Sequence, residues 1–238
     1  MEWKDTGVVV HINHYNDNLM IVSCVTSKYG LCKGAVKNTK KIRGSISVGN
    51  IISMTWRGRL EDHLGKFAIL SHESIYPFIY ADQMRMVALM SLCDLFHISL
   101  AEKEPQKVLY NYLEDFLYSI KYSEKDWLKR LLFIELELLS HIGFGLDLTK
   151  CAVSGELENL KYISPKTGRA ISESVGAPYK EKIFYLPEIL KNFESDVYDD
   201  LFYALKVTKY FLEKNINIPE SRNKLEQILQ KEIDCLKL

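Results

Sequence analysis

The hydrophobic period of this chain changes at Pro77, and that change constrains the fold more than any other feature. Before it, short β-branched or alternating runs are separated by Gly, Asn and Asp, which is the pattern of strands and turns. The runs are Val8 to Ile12, Leu19 to Thr26, Leu31 to Val36, Asn50 to Trp56 and Lys66 to Ser71. Five strands in about 70 residues match a small closed or partly open barrel such as the OB-fold. A five-stranded SH3-like barrel gives much the same pattern, so the strand count does not decide between them.

After Pro77 the apolar residues recur at helical spacing. Met84, Val87, Ala88, Ser91, Leu92, Leu95 and Phe96 mark a first helix over Ala81 to Leu100. Pro105 can open a second, with Val108, Leu109, Tyr112, Leu113, Phe116 and Leu117 as its stripe. A third begins near Ser123, where Glu124 and Asp126 suit the positive end of a helix, and stops at Gly143. It is apolar on most sides and is expected at the centre of a helical domain. From about 144 to 187 the periodicity dissolves into Gly, Pro, Ser and Thr with a few short β-like pieces, the signature of a loop-rich insert. Helices resume over Pro187 to Phe193, Ser195 to Asn215 and Pro219 to the end. The expected fold is α+β, with a barrel domain over 1–79 and a helical domain over 80–238.

Composition narrows the function classes. The 238 residues carry 31 basic and 31 acidic side chains, a neutrality that by itself speaks against a nucleic-acid binder. The total hides a cancellation, because residues 1–80 hold ten basic and six acidic side chains and the remainder carries the compensating acids. Between Lys28 and Arg59 there are eight basic residues and no acid: Lys28, Lys33, Lys37, Lys40, Lys41, Arg43, Arg57 and Arg59. Five of them lie between Lys33 and Arg43, read as a flexible polar connection flanked by Gly34 and Gly44. Such a cluster suits phosphate oxygens along a nucleic-acid backbone, where each neutralised phosphate releases counterions. Ordinary solvated surfaces mix signs, which makes a stretch without acids informative. Tyr29, Trp56 and Phe67 can offer stacking faces for unpaired bases, although Trp56 and Phe67 fit a barrel core better.

Several classes drop out. No apolar run approaches the length of a membrane span, and the first residues have no secretory pattern. Five scattered cysteines without a Cys-x-x-Cys unit suit reduced thiols in a cytosolic protein. No phosphate loop, dinucleotide fingerprint, nucleophile elbow or zinc-protease motif is present, and no other constellation could run a reaction. At least one of Glu135 and Glu137 on the third helix is expected to be semi-buried and paired, with a partner such as Arg130 or Lys129, rather than a general acid.

At this point the residues resemble a known family. Trp3-x-Asp5-x-Gly7-Val8-Val9-Val10, Thr26-x-x-x-Gly30, Lys33-Gly34-Ala35, Gly49-Asn50, Trp56-x-Gly58-Arg59 and Leu64-Gly65 are similar to the start of bacterial RecO recombination mediators. The stretch from His141 to Leu148, then Cys151-Ala152-Val153-Ser154-Gly155 and Tyr162-x-Ser164-Pro165-Lys166-x-Gly168-Arg169-Ala170, resembles the family's most recognisable segment. The similarity runs over nearly the whole chain in unbroken order.

The resemblance implies an N-terminal OB-fold, a helical C-terminal domain and a non-enzymatic role in recombinational repair. It implies binding of single- and double-stranded DNA, annealing of complementary strands, and action with RecR to help RecA replace single-strand-binding protein (SSB). The family's basic loop then corresponds to Lys33, Lys37, Lys40, Lys41 and Arg43. Relatives also dock the acidic, hydrophobic SSB tail, for which Lys129 and Arg130 beside Leu128 and Leu132 are the candidates here. Many relatives hold zinc with four cysteines in the insert. Here only Cys151 remains, with Ser154 in its partner's place, so no metal or other cofactor is expected and the insert should be held by packing alone. The alternative to a DNA-binding mediator is an adaptor that binds RecR and the SSB tail with little DNA affinity of its own.

Overall fold

The computed structural model describes residues 1–43, 46–60, 63–123, 126–192 and 197–236. It places five strands in a closed barrel: β1 (Glu2–Asn16), β2 (Leu19–Thr26), β3 (Gly30–Lys37), β4 (Ile51–Arg57) and β5 (Lys66–Glu73). The order round the barrel is β1-β2-β3-β5-β4, closed by a parallel pairing of Ala35 with Lys66 and an antiparallel pairing of β1 with β4. That is the Greek-key order of an OB-fold and resolves the ambiguity left by the strand count. Register followed round the sheet from Asn13 through Ile21, Ala35, Lys66 and Arg57 returns to β1 at Glu2, so the barrel is strongly sheared. Its core holds Val9, Met20, Val22, Cys24, Ile52, Met54 and Trp56.

Two sequence expectations need correction. β1 begins at Glu2 rather than Val8, because one strand serves two partners. Its first half pairs with β4 and its second with β2, the switch marked by an irregularity between Val9 and His11. The stretch Trp3-Lys4-Asp5 therefore joins a ladder although it carries no β-branched run. The connection after Lys33 is not one flexible loop either. Lys33 to Lys37 is strand, with Gly34 pressed against the Phe67 ring, where a Cβ would lie 2.6 Å from ring carbons. Lys40 to Arg43 form a helical turn, α1 (Lys40–Arg43), whose Ile42 packs against the barrel core. Gly44 lies outside the described residues.

The helices follow as α2 (Tyr76–Ile79), α3 (Gln83–Ser99), α4 (Lys107–Tyr122) and α5 (Asp126–His141). The carboxylate of Asp82 caps α3 by accepting from the Arg85 N–H at 3.0 Å, and Ser123 Oγ accepts from the Asp126 N–H at 2.9 Å ahead of α5. Glu124, expected in that first turn, lies outside the described residues, as do Phe193 and Ser195 at the expected helix ends. Gly143, at φ +86°, turns the chain out of α5.

The insert is more ordered than loop. It forms a three-stranded sheet, β7-β6-β8, from β6 (Leu160–Ile163), β7 (Ala170–Ser172) and β8 (Phe184–Tyr185), with α6 (Glu173–Gly176) and a 3-10 turn over Ala177–Lys182. Then come α7 (Ile189–Asn192), α8 (Tyr198–Asn215) and α9 (Glu220–Leu236). The chain divides into two compact units, Met1–Trp127 with Pro219–Leu225, and Leu128–Ile218 with Glu226–Leu238. In the second, α5 supplies Leu131, Leu132, Ile134, Leu138 and Leu139 to the core. Glu135 is fully buried beside them, and the Thr208 hydroxyl on α8 donates to its Oε2 at 2.5 Å. Among the described residues no helix is long and apolar enough to cross a membrane.

Candidate nucleic-acid interface

In an OB-fold the usual oligonucleotide surface is the outer face of β2 and β3 with the β1–β2 and β4–β5 loops. Strand alternation sends Cys32 and Val36 into the barrel and leaves Lys33, Ala35 and Lys37 on the outside of β3. The basic residues continuous in sequence are then divided by that strand. Lys28 lies exposed in the β2–β3 turn and Lys37 at the open end of the hairpin, about 25 Å away for an eight-residue strand.

At the open end, Lys37 and Lys40 are both exposed. Lys37 borders a cleft of about 610 Å³ shared with Asn16, Asp17, Asn18 and Thr39. The cleft is framed by backbone pairing, since Asn38 donates its N–H to the Asn18 carbonyl at 2.9 Å and its side chain to the Asp17 carbonyl at 3.1 Å. Lys41 and Arg43 follow in α1; their side chains lie outside the described residues.

At the other end of β3 stands Lys28, while Arg57 ends β4 and Arg59 follows it. Arg57 is engaged by Glu2 through two contacts of 3.0 and 3.1 Å, which hold the Glu2 carboxyl below its ordinary range. Lys33, midway along β3, is paired with Glu102 at 2.6 Å. Of the eight basic residues, Lys28, Lys37, Lys40 and Arg59 are therefore the described ones that are exposed without a carboxylate in a salt bridge. The pairs were not legible in advance because Glu2 and Glu102 are remote in sequence from their partners.

The aromatic residues divide as their fit to a barrel core implied. Trp56 and Phe67 are core, 3% and 6% exposed, whereas Tyr29 is half-buried and stacks on Trp3, a residue the alternation reading passed over. A cavity of about 150 Å³ opens beside them, bordered by Trp3, Tyr29, Cys32, Lys33, Trp56 and Lys103.

In the helical unit Lys129 is half-buried and Arg130 exposed on α5. Leu128 and Leu132 beside them are 3% and 0% exposed, so they belong to the core and give no open apolar floor. An apolar floor does occur at a cleft of about 790 Å³, where Leu146, Leu148, Leu157 and Leu190 meet Lys161 and Lys191. Those lysines are paired with Glu173 and Glu188 at 2.6 and 2.7 Å.

The residues at the insert's zinc position do not fit a zinc ion. Cys151 Sγ is 2% exposed and accepts from the Ser154 N–H at 3.4 Å and the Ser172 hydroxyl at 3.5 Å. The two hydroxyls themselves lie 3.4 Å apart. One thiol with neutral serine hydroxyls lacks the thiolate and imidazole donors of a structural zinc site. Burial raises the Cys151 thiol, but the bonds from Ser154 and Ser172 together outweigh it and bring it down to about 6. The insert is thus held by its own sheet and by this hydrogen-bonded cluster as well as by packing. Cys24, Cys32 and Cys93 are also free and buried.

Comparison with known proteins agrees with this architecture in both halves. The family model described as "Recombination protein O N terminal" matches residues 1–76, and "Recombination protein O C terminal" matches 81–228. A DNA repair protein RecO of Ehrlichia chaffeensis is 38% identical over 217 residues, covering 91% of this chain and 87% of its own length. One from Anaplasma marginale is 35% identical over 91% of this chain and 92% of its own. Another, from a Wolbachia of Drosophila simulans, is 34% identical over 94% of this chain and 98% of its own. With the OB-fold barrel, the helical second half and both family models matched in order, the chain belongs to the RecO family of DNA repair proteins.

Proposed function

We propose that this protein is a non-catalytic recombination mediator of the bacterial cytoplasm, associated with the nucleoid. It binds single- and double-stranded DNA, anneals complementary strands and, with RecR, helps load RecA onto SSB-coated DNA. The observation that carries the reading is the match of both halves to one DNA repair family along nearly the full chain. In this reading residues 1–79 are the DNA-binding domain and 80–238 the helical partner domain.

The described basic side chains that support DNA contact are Lys37 and Lys40, exposed at the open end of the β2–β3 hairpin. Lys41 and Arg43 extend the same charge in sequence. Titration of fluorescent single-stranded DNA at two salt concentrations tests this. Glutamate at Lys37, Lys40 and Lys41 should weaken binding and reduce the salt slope by about 0.7 per lost phosphate contact. Unchanged affinity and slope would remove the basic end as the DNA site. Tight binding of RecR or of the SSB tail without affinity for single-stranded DNA would favour the adaptor instead.

For the SSB tail, Lys129 and Arg130 are the proposed cations, in competition with Lys161 and Lys191 over their open apolar cleft. Arg130→Glu and Lys161→Glu, compared for binding of a tail peptide, separate the two places.

A further inference from the structure

Three rings at one mouth of the barrel are stacked as a column. Trp3 is its middle member, 4.2 Å from Tyr29 with 15° between planes on one side, and 5.7 Å from Trp56 with 10° on the other. Phe67 meets Trp3 edge-on at 6.3 Å. The inner end is immobilised: Trp56 Nε1 donates to the Leu64 carbonyl at 3.2 Å, and the backbones of Gly58 and Gly65 lie against its ring. Tyr29, the outer member, and Trp3 beneath it remain half-exposed. A parallel aromatic pair held rigid from below and wet from above is preorganised for stacking, since ordering it costs nothing further on binding.

The cavity beside Trp3 and Tyr29, about 150 Å³, is worth some five waters at about 30 Å³ each, room for one planar heterocycle rather than a folded segment. Cations stand around it, with Lys33 and Lys103 on its border. Lys28 adjoins Tyr29 in the exposed β2–β3 turn, and Arg59 follows Gly58, whose backbone touches the Trp56 ring. Of the carboxylates on this side, Glu2 and Glu102 are engaged by Arg57 and Lys33, and Asp5 lies near enough to act on the Cys32 thiol.

We propose that the Trp3–Tyr29 column is a stacking platform for an unpaired nucleobase of single-stranded DNA, with Lys28 and Arg59 receiving the flanking phosphates. The inference rests on the DNA-binding reading and assigns it a second contact, separate from Lys37 and Lys40. It also supplies a discrimination that lysines cannot. Phosphates are common to single and double strands, whereas a base face is available only where the base is unpaired.

The test uses the full-length protein with three probes of equal length: an oligothymidylate, the same backbone without bases, and a duplex. The wild type should bind the oligothymidylate about five- to a hundred-fold more tightly than the abasic strand, with quenching of tryptophan fluorescence. Tyr29→Ala should lose that margin while its duplex affinity stays unchanged, and Tyr29→Phe should keep it. Equal affinity of the wild type for the base-containing and abasic strands overturns the platform and leaves the basic site standing. A uniform loss in Tyr29→Ala, duplex included, overturns it too. Failure of the wild type to bind any of the three overturns the DNA-binding reading itself.

Discussion

His11 on β1 and His97 on α3 stack face to face, their ring centroids 4.2 Å apart and their planes within 4°. Burial, then His11 and Lys33, depress the His97 imidazolium, against the smaller opposing influence of Asp94 and Glu102. Its Nδ1 is buried without a hydrogen-bond partner among the described residues. A lowered value in the fold means that the unfolded chain takes up the proton more readily. Stability linked to His97 is therefore complete above the unfolded value near 6.5 and is lost as the pH falls below it. Thermal unfolding followed from about pH 7.5 down to 5.5 should show a falling Tm, and His97→Gln should flatten that dependence.

Cys151 should titrate near 6, apart from the other described thiols. Burial pushes Cys24 well up, Cys32 to about 12 and Cys93 higher still. Ultraviolet thiolate absorbance in a Cys235→Ser background, Cys235 having no described side chain, should report one thiolate at neutral pH. Ser172→Ala removes a donor and should move that midpoint upward. Because the thiolate is favoured in the fold, its contribution to stability is present above about 9 and declines as the pH falls towards 6. Metal analysis should find no stoichiometric zinc, and chelator should leave Tm unchanged.

Gly65 stands at φ +62°, and a Cβ there would lie 2.3 Å from the Trp56 indole nitrogen. Backbone strain and collision act together, so Gly65→Ala should destabilise the barrel by about 1–3 kcal/mol in urea unfolding. Because the same contact anchors the inner ring of the aromatic column, its variant should also lose tryptophan quenching by oligothymidylate.

Those contacts show what the sequence could and could not reveal. Leu19–Thr26 is a strand with the bounds its β-branched run implied, because all its residues are paired along one hairpin. Trp3 carries no strand signal of its own, because Trp3-Lys4-Asp5 has strand geometry only through pairing with Trp56, Thr55 and Met54, some fifty residues on. The basic residues were visible as a run, but β3 separates Lys28 from Lys37, and a run cannot show that its own strand divides it. Pairing to Glu2 and Glu102 is likewise a product of folding. Local propensity was readable; cross-strand and strand-to-helix relationships were not.

The pairing of Lys33 with Glu102 leads to a prediction of opposite sign from the usual loss of charge. Lys33 lies on the outer face of β3 between the two basic ends, yet Glu102 holds its ammonium at 2.6 Å and opposes an approaching phosphate. Lys33→Gln should thus cost little DNA affinity, less than Lys37→Gln at the exposed end. Glu102→Gln should instead strengthen binding by a few-fold, the scale of a partly exposed ion pair worth up to about 1 kcal/mol. It should also steepen the salt slope, because a released lysine adds up to about 0.7 of a counterion on single strands. Binding isotherms for the two single variants and the double variant, at two salt concentrations, check the sign. If Glu102→Gln acts only by freeing Lys33, its gain should disappear once Lys33 is also changed.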